Sequence, residues 1–129
     1  MKKAFNILLV DDSKTTNFYN KKIITSFDCV KEIYEAYNGL EALNLLKEKK
    51  IKLDLILLDI NMPIMDGFEF LKEYEKLSLN IRTSIEIAIL TTSTWTRDRE
   101  KAEHNKHLIS GYFEKPLRKK TIEALLFKN

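Results

Sequence analysis

The chain has 129 residues, a hydrophobic content of 44% and a formal net charge of +3 at pH 7. This size suits one domain with a hydrophobic core. The apolar stretches of the chain are too short to span a membrane. So small a net charge does not by itself indicate nucleic-acid binding. The single cysteine, Cys29, excludes an internal disulfide and is typical of a reducing cytosol. We therefore expect one cytoplasmic domain over residues 1–129.

The first strand is predicted over Asn6–Val10, an apolar run that ends directly on Asp11 and Asp12. Ser13 is a typical N-cap and predicts a helix that continues to about Phe27. The residues at helical spacing that are expected to face the sheet are Tyr19, Ile23, Ile24 and Phe27.

A second strand is predicted at roughly Glu32–Ala36, and the Asn38-Gly39 pair after it is a turn signal. The helix that follows is expected over Leu40–Lys49. The third strand carries a continuous apolar run, Leu55–Leu58, which suits a strand covered on both faces, as in a parallel sheet. It ends on Asp59, so this carboxylate is expected at the carboxyl end of a buried strand, where open α/β sheets carry their chemistry.

The remaining elements, in chain order, are a third helix opened by Asp66 and Gly67, a polar connection over Leu79–Ser84, a strand over Ile85–Leu90, a helix over Arg97–Lys106, a strand over Gly111–Glu114 and a last helix over Leu117–Phe127. Five strands thus alternate with five helices, which predicts an α/β protein with a parallel sheet and helices on both faces. The helix over Arg97–Lys106 has Ala102 as its only aliphatic residue, so we expect it to dock weakly.

Three carboxylates follow two of these strands, Asp11 and Asp12 after the first and Asp59 after the third. Carboxylates that crowd together repel each other and raise one another's pKa. A divalent cation relieves this repulsion, and Mg²⁺ prefers oxygen ligands and keeps several waters. We therefore predict a Mg²⁺ site, which Mn²⁺ can also fill, formed by Asp12, Asp59 and the backbone carbonyl of Asn61, with Asp11 holding waters beside it.

Two further strand ends carry polar groups of other kinds. The fourth strand ends on Thr91, and Lys115 and Pro116 follow the fifth. A hydroxyl and an ammonium beside a metal site are the groups that a bound phosphoryl group needs. The four strand ends together therefore indicate phosphoryl chemistry.

Four stretches in this order, DD, LLDINMPIMDG, LTTS and GYFEKP, resemble the motifs of the receiver domain of two-component response regulators, most closely the small stand-alone type. The resemblance covers essentially the whole chain. It implies a flavodoxin-like (βα)5 fold, in which one doubly wound parallel sheet of strand order 2-1-3-4-5 forms the middle of three α/β/α layers. It also implies a single receiver domain without an output domain.

The resemblance further implies a role for each site residue. Asp59 would take a phosphoryl group from the phosphohistidine of a histidine kinase or a histidine phosphotransfer protein, with Mg²⁺ beside it. Lys115 and Thr91 would contact the phosphoryl oxygens, although Thr92 is an adjacent alternative hydroxyl. Tyr112 matches the family's switch aromatic, which turns inward when the threonine moves toward phosphate, but a tyrosine at the edge of the core is a rival interpretation. Beyond its own phosphorylation and dephosphorylation, such a domain is not an enzyme.

The resemblance also locates the partner surface. A downstream protein is expected on the face formed by the helix over Arg97–Lys106, the strand over Gly111–Glu114 and the last helix. We expect neither a specific nucleic acid nor a membrane as a partner.

Two other functions remain open. A Mg²⁺-dependent phosphohydrolase with an aspartyl nucleophile would also use Asp59, but such enzymes usually carry a second Asp two residues later, where this chain has Asn61. A flavodoxin-like binding module that is never phosphorylated is the other alternative. No glycine-rich phosphate loop follows the first strand, which argues against nucleotide or flavin binding.

Overall fold

The computed structural model describes residues 4–48, 51–82, 84–92 and 95–127, and within them the chain forms five strands and six helices. The strands are β1 (Phe5–Val10), β2 (Val30–Ala36), β3 (Leu55–Leu58), β4 (Glu86–Thr91) and β5 (Gly111–Glu114). The helices are α1 (Lys14–Thr25), α2 (Gly39–Glu48), α3 (Gly67–Tyr74), α4 (Leu79–Arg82), α5 (Trp95–His104) and α6 (Lys119–Leu126). Among these residues, no helix combines the length and the apolar character needed to cross a membrane.

All five strands run parallel in one sheet of order β2-β1-β3-β4-β5. The register aligns Val10 with Leu58 and Leu58 with Ile89, so β1 and β3 end level and β4 continues two residues further to Thr91. One core cluster packs α2 and α3 against the sheet, and a second packs α1 and α6 against its other face. The predicted three-layer, doubly wound α/β fold with strand order 2-1-3-4-5 is confirmed.

Strand β3 is buried on both of its faces. Ile56 and Leu58 belong to one core cluster, and Leu55 and Leu57 belong to the other. Because successive side chains of a strand point to opposite faces, a strand between two helical layers needs apolar residues at every position. Each such side chain contributes about 1.5–3 kcal/mol on burial. The prediction of a strand covered on both faces is therefore confirmed, and Asp59 is the first polar residue beyond it.

Helix α1 presents a different face to the sheet from the predicted one. Ile24 is fully buried as expected, but Tyr19 is 60% exposed and its predicted inward position is wrong. The buried residues are Asn17, Asn20 and Ile24, which are three and four residues apart and share one side of the helix. Each residue turns the helix by about 100°, so Tyr19 lies off this stripe. Two asparagines that were not among the predicted inner residues therefore lie on the inner face of α1.

The segments around α3 agree with the prediction in part. Asp66 caps α3, since its side chain accepts from the Glu69 N–H at 2.8 Å and Glu69 bonds back to the Asp66 N–H at 3.0 Å. The predicted polar connection over Leu79–Ser84 instead contains the short helix α4. Leu79 is 69% exposed, so no apolar periodicity reveals this helix. Helix α2 is described to Glu48, and its predicted end at Lys49 lies outside the described residues.

Helix α5 begins two residues before its predicted start and ends two residues before its predicted end. Ala102 is its buried aliphatic residue, as predicted, but the carboxylate residue Asp98 is also only 7% exposed. The Tyr112 hydroxyl of β5 donates to Asp98 Oδ2 at 3.3 Å, and Lys101 Nζ of α5 lies 5.6 Å from the centre of the Phe68 ring. Polar contacts therefore supplement the sparse apolar docking of this helix.

The first prediction concerns Gly67. A Cβ at this position would lie 2.4 Å from the Asp59 carbonyl oxygen and 2.9 Å from the Ile60 Cα. Both atoms belong to the backbone, so neither can move aside cheaply. Gly67→Ala should lower the free energy of unfolding by about 1–3 kcal/mol, as overpacking does, measured by urea denaturation. Lys72→Ala, at an exposed position of the same helix, is the matched control and should change it by less than about 0.5 kcal/mol. Equal effects of the two substitutions would contradict this close packing.

Candidate functional site

The polar groups predicted at the strand ends are held together by backbone hydrogen bonds that extend the sheet. The Asp11 N–H donates to the Ala36 carbonyl at 3.1 Å, and the Asp59 N–H donates to the Val10 carbonyl at 2.9 Å. The Lys115 N–H donates to the Thr91 carbonyl at 2.9 Å. The ladder itself therefore positions these residues at one edge of the sheet.

Asp11, Asp12 and Asp59 form an acidic cluster whose carboxylate oxygens lie within 4.8 Å of one another. Asp11 and Asp59 are 4% and 6% exposed, whereas Asp12 is open to solvent. Oxygen-only ligand sets are what Mg²⁺ and Mn²⁺ take in proteins. These three side chains are thus the residues that could hold a divalent cation.

Lys115 brings a positive charge into the cluster. Its Nζ lies 2.5 Å from Asp11 Oδ2 and 3.5 Å from Asp59 Oδ2, and its side chain is mostly buried. The contact to Asp11 is a direct charged hydrogen bond, while the distance to Asp59 is that of a looser ion pair. One ammonium therefore faces two buried carboxylates, so their charge is only partly balanced.

The environment of Asp59 makes its charged form unfavourable. Burial is the largest cause and the nearby Asp11 carboxylate the second, and together they raise the pKa of Asp59 from 3.8 to about 6. Lys115 lowers this pKa, and so does the Ile60 N–H, which donates to Asp59 Oδ1 at 2.9 Å. A buried carboxylate with a strongly raised pKa at a strand end is typical of functional sites.

Asp11 is fixed by groups that the sequence interpretation did not include. The Ser13 N–H donates to Asp11 Oδ1 at 2.9 Å, and the Asn17 side-chain amide donates to the Asp11 carbonyl at 3.0 Å. Ser13 also caps α1, since its hydroxyl accepts from the Thr16 N–H at 3.1 Å. The spacing of Ser13, Asn17 and Asn20 along one helix face was the signal that could have revealed this support.

The other predicted site residues lie on β4, on β5 and shortly after β3. Thr91 is fully buried at the last position of β4, whereas the neighbouring Thr92 is exposed. Asn61 is exposed and lies between the buried residues Ile60 and Met62. Tyr112 is half-buried in β5, and burial together with the Asp98 carboxylate raises its pKa to about 12. Asp98, its acceptor on α5, was not among the predicted residues.

The chain is similar to a known protein family and to several known proteins. A family model described as the response regulator receiver domain matches residues 7–127. The chain is 36% identical over 99 residues to the protein-glutamate methylesterase/protein-glutamine glutaminase 1 of Vibrio vulnificus strain YJ016, covering 77% of this chain but only 24% of that protein. It is 30% identical over 125 residues to the two-component response regulator ARR22 of Arabidopsis thaliana, covering 97% and 83% of the two chains.

The solved structures include a two-component response regulator from Cytophaga hutchinsonii. It superposes with a TM-score of 0.85 and 30% sequence identity, and the match covers 98% of this chain and 96% of that one. The relatives differ in length, and this chain spans only about a quarter of the Vibrio protein. The likeness to that protein therefore concerns one part of it.

The second prediction concerns the dependence of stability on pH. The pKa of Asp59 is higher in the folded protein than its ordinary value of 3.8, so the stability associated with its proton is fully present below pH 3.8. That stability is lost as the pH rises through about 6. The difference corresponds to at most about 3 kcal/mol, and solvent screening reduces this to about 1–2 kcal/mol.

Asp59→Asn should therefore stabilise the metal-free protein above pH 6 by that amount and give little gain near pH 4. Thermal or urea unfolding in the presence of a chelator measures the difference. Asp28→Asn, which changes an exposed carboxylate, is the control and should leave the pH dependence as in the parent. A constant difference between Asp59→Asn and the parent across this range would contradict a raised pKa at Asp59.

Proposed function

Because the chain belongs to the response regulator receiver family, we propose that it takes a phosphoryl group from the phosphohistidine of a histidine kinase or a histidine phosphotransfer protein onto Asp59. The observation that supports this proposal most directly is the buried Asp59 carboxylate, which is flanked by a second buried acid and by the Lys115 ammonium at 3.5 Å. The phosphorylated form would then bind a downstream partner. Apart from its own phosphorylation and dephosphorylation, the domain would act in signalling rather than as an enzyme, in the cytoplasm.

In the proposed transfer, an oxygen of Asp59 attacks the phosphorus atom of phosphohistidine. The phosphorus–nitrogen bond breaks, its electron pair stays on the donor ring nitrogen, and the donor leaves as neutral imidazole when its other nitrogen carries the proton. The product on Asp59 is an acyl phosphate. The barrier is lowered by positioning and by charge neutralisation. Since an ammonium has three donors, Lys115 can keep its bond to Asp11 and also donate to a phosphoryl oxygen.

The acidic cluster fits a divalent cation, because it offers several carboxylate oxygens within 4.8 Å and a single neutralising ammonium. We propose that Asp11, Asp12, Asp59 and the backbone carbonyl of Asn61 hold Mg²⁺, for which Mn²⁺ can substitute. When bound, the cation would neutralise charge on the transferring phosphoryl oxygens.

The switch is proposed to run from Thr91 through Tyr112 to the face formed by α5, β5 and α6. The burial of Thr91 beside exposed Thr92 supports Thr91 as the hydroxyl that senses the phosphoryl group. The contact of the Tyr112 hydroxyl with Asp98 supports a link from β5 to α5. Among the side chains that the structure describes, the exposed basic residues of α5 and of the start of α6 are Arg99, Lys101, Arg118, Lys119 and Lys120. They favour an acidic protein partner through steering of association. Neither a specific nucleic acid nor a membrane is proposed as a partner, because the exposed Glu100 and Glu103 interrupt the basic residues of α5.

The alternatives considered from the sequence have less support. A phosphohydrolase needs a proton donor to the leaving group, and the amide of Asn61, two residues after Asp59, cannot supply one. A flavodoxin-like binding module that is never phosphorylated leaves the buried acids and Lys115 without a joint role.

The third prediction tests the phosphoryl acceptor. Incubation with acetyl phosphate and Mg²⁺ should add one phosphoryl group to the parent protein, seen by intact-mass spectrometry and lost on treatment with hydroxylamine. Asp59→Asn should remove this labelling, because an amide is not a nucleophile at neutral pH. Labelling should also fail in a chelator and return with excess Mg²⁺.

The matched control for that experiment is Asp28→Asn, which changes an exposed acid outside the cluster. It should be labelled like the parent. Full labelling of Asp59→Asn, or labelling that is indifferent to the chelator, would contradict the proposed acceptor or the proposed metal requirement, respectively.

The fourth prediction concerns the link between β5 and α5. Tyr112→Phe removes the donor to the buried Asp98 carboxylate and should weaken the docking of α5 by about 1 kcal/mol. Amide hydrogen exchange in α5 should therefore become about fivefold faster, while exchange in α2 stays unchanged. Tyr34→Phe, in the edge strand β2, is the control. If α5 is equally protected in both variants, the contact between Tyr112 and Asp98 contributes nothing to its docking.

A further inference from the structure

Helix α1 buries two polar side chains beside the acidic cluster. Asn17 is 0% exposed and Asn20 is 7% exposed, and they share the inner stripe of the helix with fully buried Ile24. An amide buried without hydrogen-bond partners costs several kcal/mol relative to water, so buried amides are nearly always satisfied. We therefore expect both amides to have hydrogen-bond partners.

Within the part of the chain that the structure describes, only one half of the Asn17 amide has a hydrogen-bond partner. Its Nδ2 donates to the Asp11 carbonyl at 3.0 Å, which determines which way the amide points. Its Oδ1 is fully buried and has no hydrogen-bond partner among the residues that the structure describes. Exchanging the two amide atoms would not solve the problem, because the oxygen would then face the carbonyl of Asp11. Leaving an acceptor unsatisfied in this way costs about 1–3 kcal/mol.

A small cavity lies against these side chains. It has a volume of about 10 Å³ and is lined by Asp11, Asn17, Asn20 and Asp59, together with four aliphatic residues of β1, β3 and β4. A cavity needs a volume of about 10–15 Å³ to hold a water molecule, and the water needs two to four polar partners. The volume suits one water molecule and excludes a larger ligand. The polar lining distinguishes this cavity from apolar voids, which stay dry.

We propose that this cavity is a binding site for one ordered water molecule, held by Asn17 and Asn20 behind the acidic cluster. The water donates one hydrogen bond to Asn17 Oδ1 and the other to a carboxylate of the cavity wall, and it accepts from the amide of Asn20. It thereby satisfies the buried acceptor and provides a hydrogen-bond donor beside two buried acids. This site does not depend on the proposed phosphorylation of Asp59.

Paired substitutions at Asn20 test the proposal, because they change the cavity in opposite directions. Asn20→Leu fills it with an aliphatic side chain, whereas Asn20→Ala enlarges it and keeps Asn17 in its wall. Oxygen-17 and deuterium magnetic relaxation dispersion of the metal-free protein counts long-lived internal waters. Asn20→Leu should lose the contribution of about one water, and Asn20→Ala should lose none. Asn44→Leu, at an exposed position of α2, is the control and should match the parent.

A crystal structure of the parent protein at high resolution provides a test that does not depend on how the variants fold. It should contain a water within about 2.7–3.2 Å of Asn17 Oδ1. An Asn20→Leu protein that is folded and retains the full internal-water signal would overturn the proposal. So would a crystal structure in which Asn17 Oδ1 accepts from a protein N–H and the cavity is empty.

Discussion

The contact of one buried ammonium with two buried carboxylates is the interaction on which the rest of this structure depends. Lys115 follows the last strand and Asp11 follows the first, and they meet at 2.5 Å although 104 positions separate them in the chain. Asp59 completes the group from the central strand, with its Oδ2 3.5 Å from the same ammonium. Without Lys115, two acids would be desolvated side by side with no compensating charge, which is among the most unfavourable arrangements in a protein interior.

The backbone of the fold positions the charged residues and supplies hydrogen bonds to them. The carboxyl ends of the parallel strands lie at the same edge of the sheet, so the residues that follow the strands lie close together. The N–H groups of Ser13 and Ile60 then donate to Asp11 and Asp59, respectively, at 2.9 Å. These bonds lower the cost of burial but do not remove it, as the raised pKa of Asp59 reflects. The buried Asp59 carboxylate thus costs the fold some stability, which is common at functional sites.

The architecture and the principal site were accessible from the sequence because both follow from local patterns. The apolar run before Asp59 lacks polar alternation, and only a strand covered on both faces needs such a run. Asp11, Asp59 and Thr91 directly follow such runs, and Lys115 directly follows the short last strand. The parallel sheet therefore brings these four residues to the same edge. The strand order, in contrast, came from the resemblance to a family rather than from any pattern within one strand.

The remaining features depend on contacts between distant elements, which local patterns do not encode. Tyr19 is a better candidate than Asn17 for a buried face on polarity alone, yet Asn17 is buried because its amide meets the Asp11 carbonyl. Asp98 belongs to a strongly charged helix and is buried against the hydroxyl of Tyr112. The exposed Leu79 gives α4 no apolar signature.

The central claim is that Asp59 carries the phosphoryl group, and chemical mapping of the acyl phosphate tests it most directly. Borohydride reduces an aspartyl phosphate to homoserine, which tandem mass spectrometry locates by residue after proteolysis. The protein treated with acetyl phosphate and Mg²⁺ should yield homoserine at position 59, and the untreated protein should yield none. Homoserine at position 11 or 12, or its absence from a fully phosphorylated sample, would contradict the account.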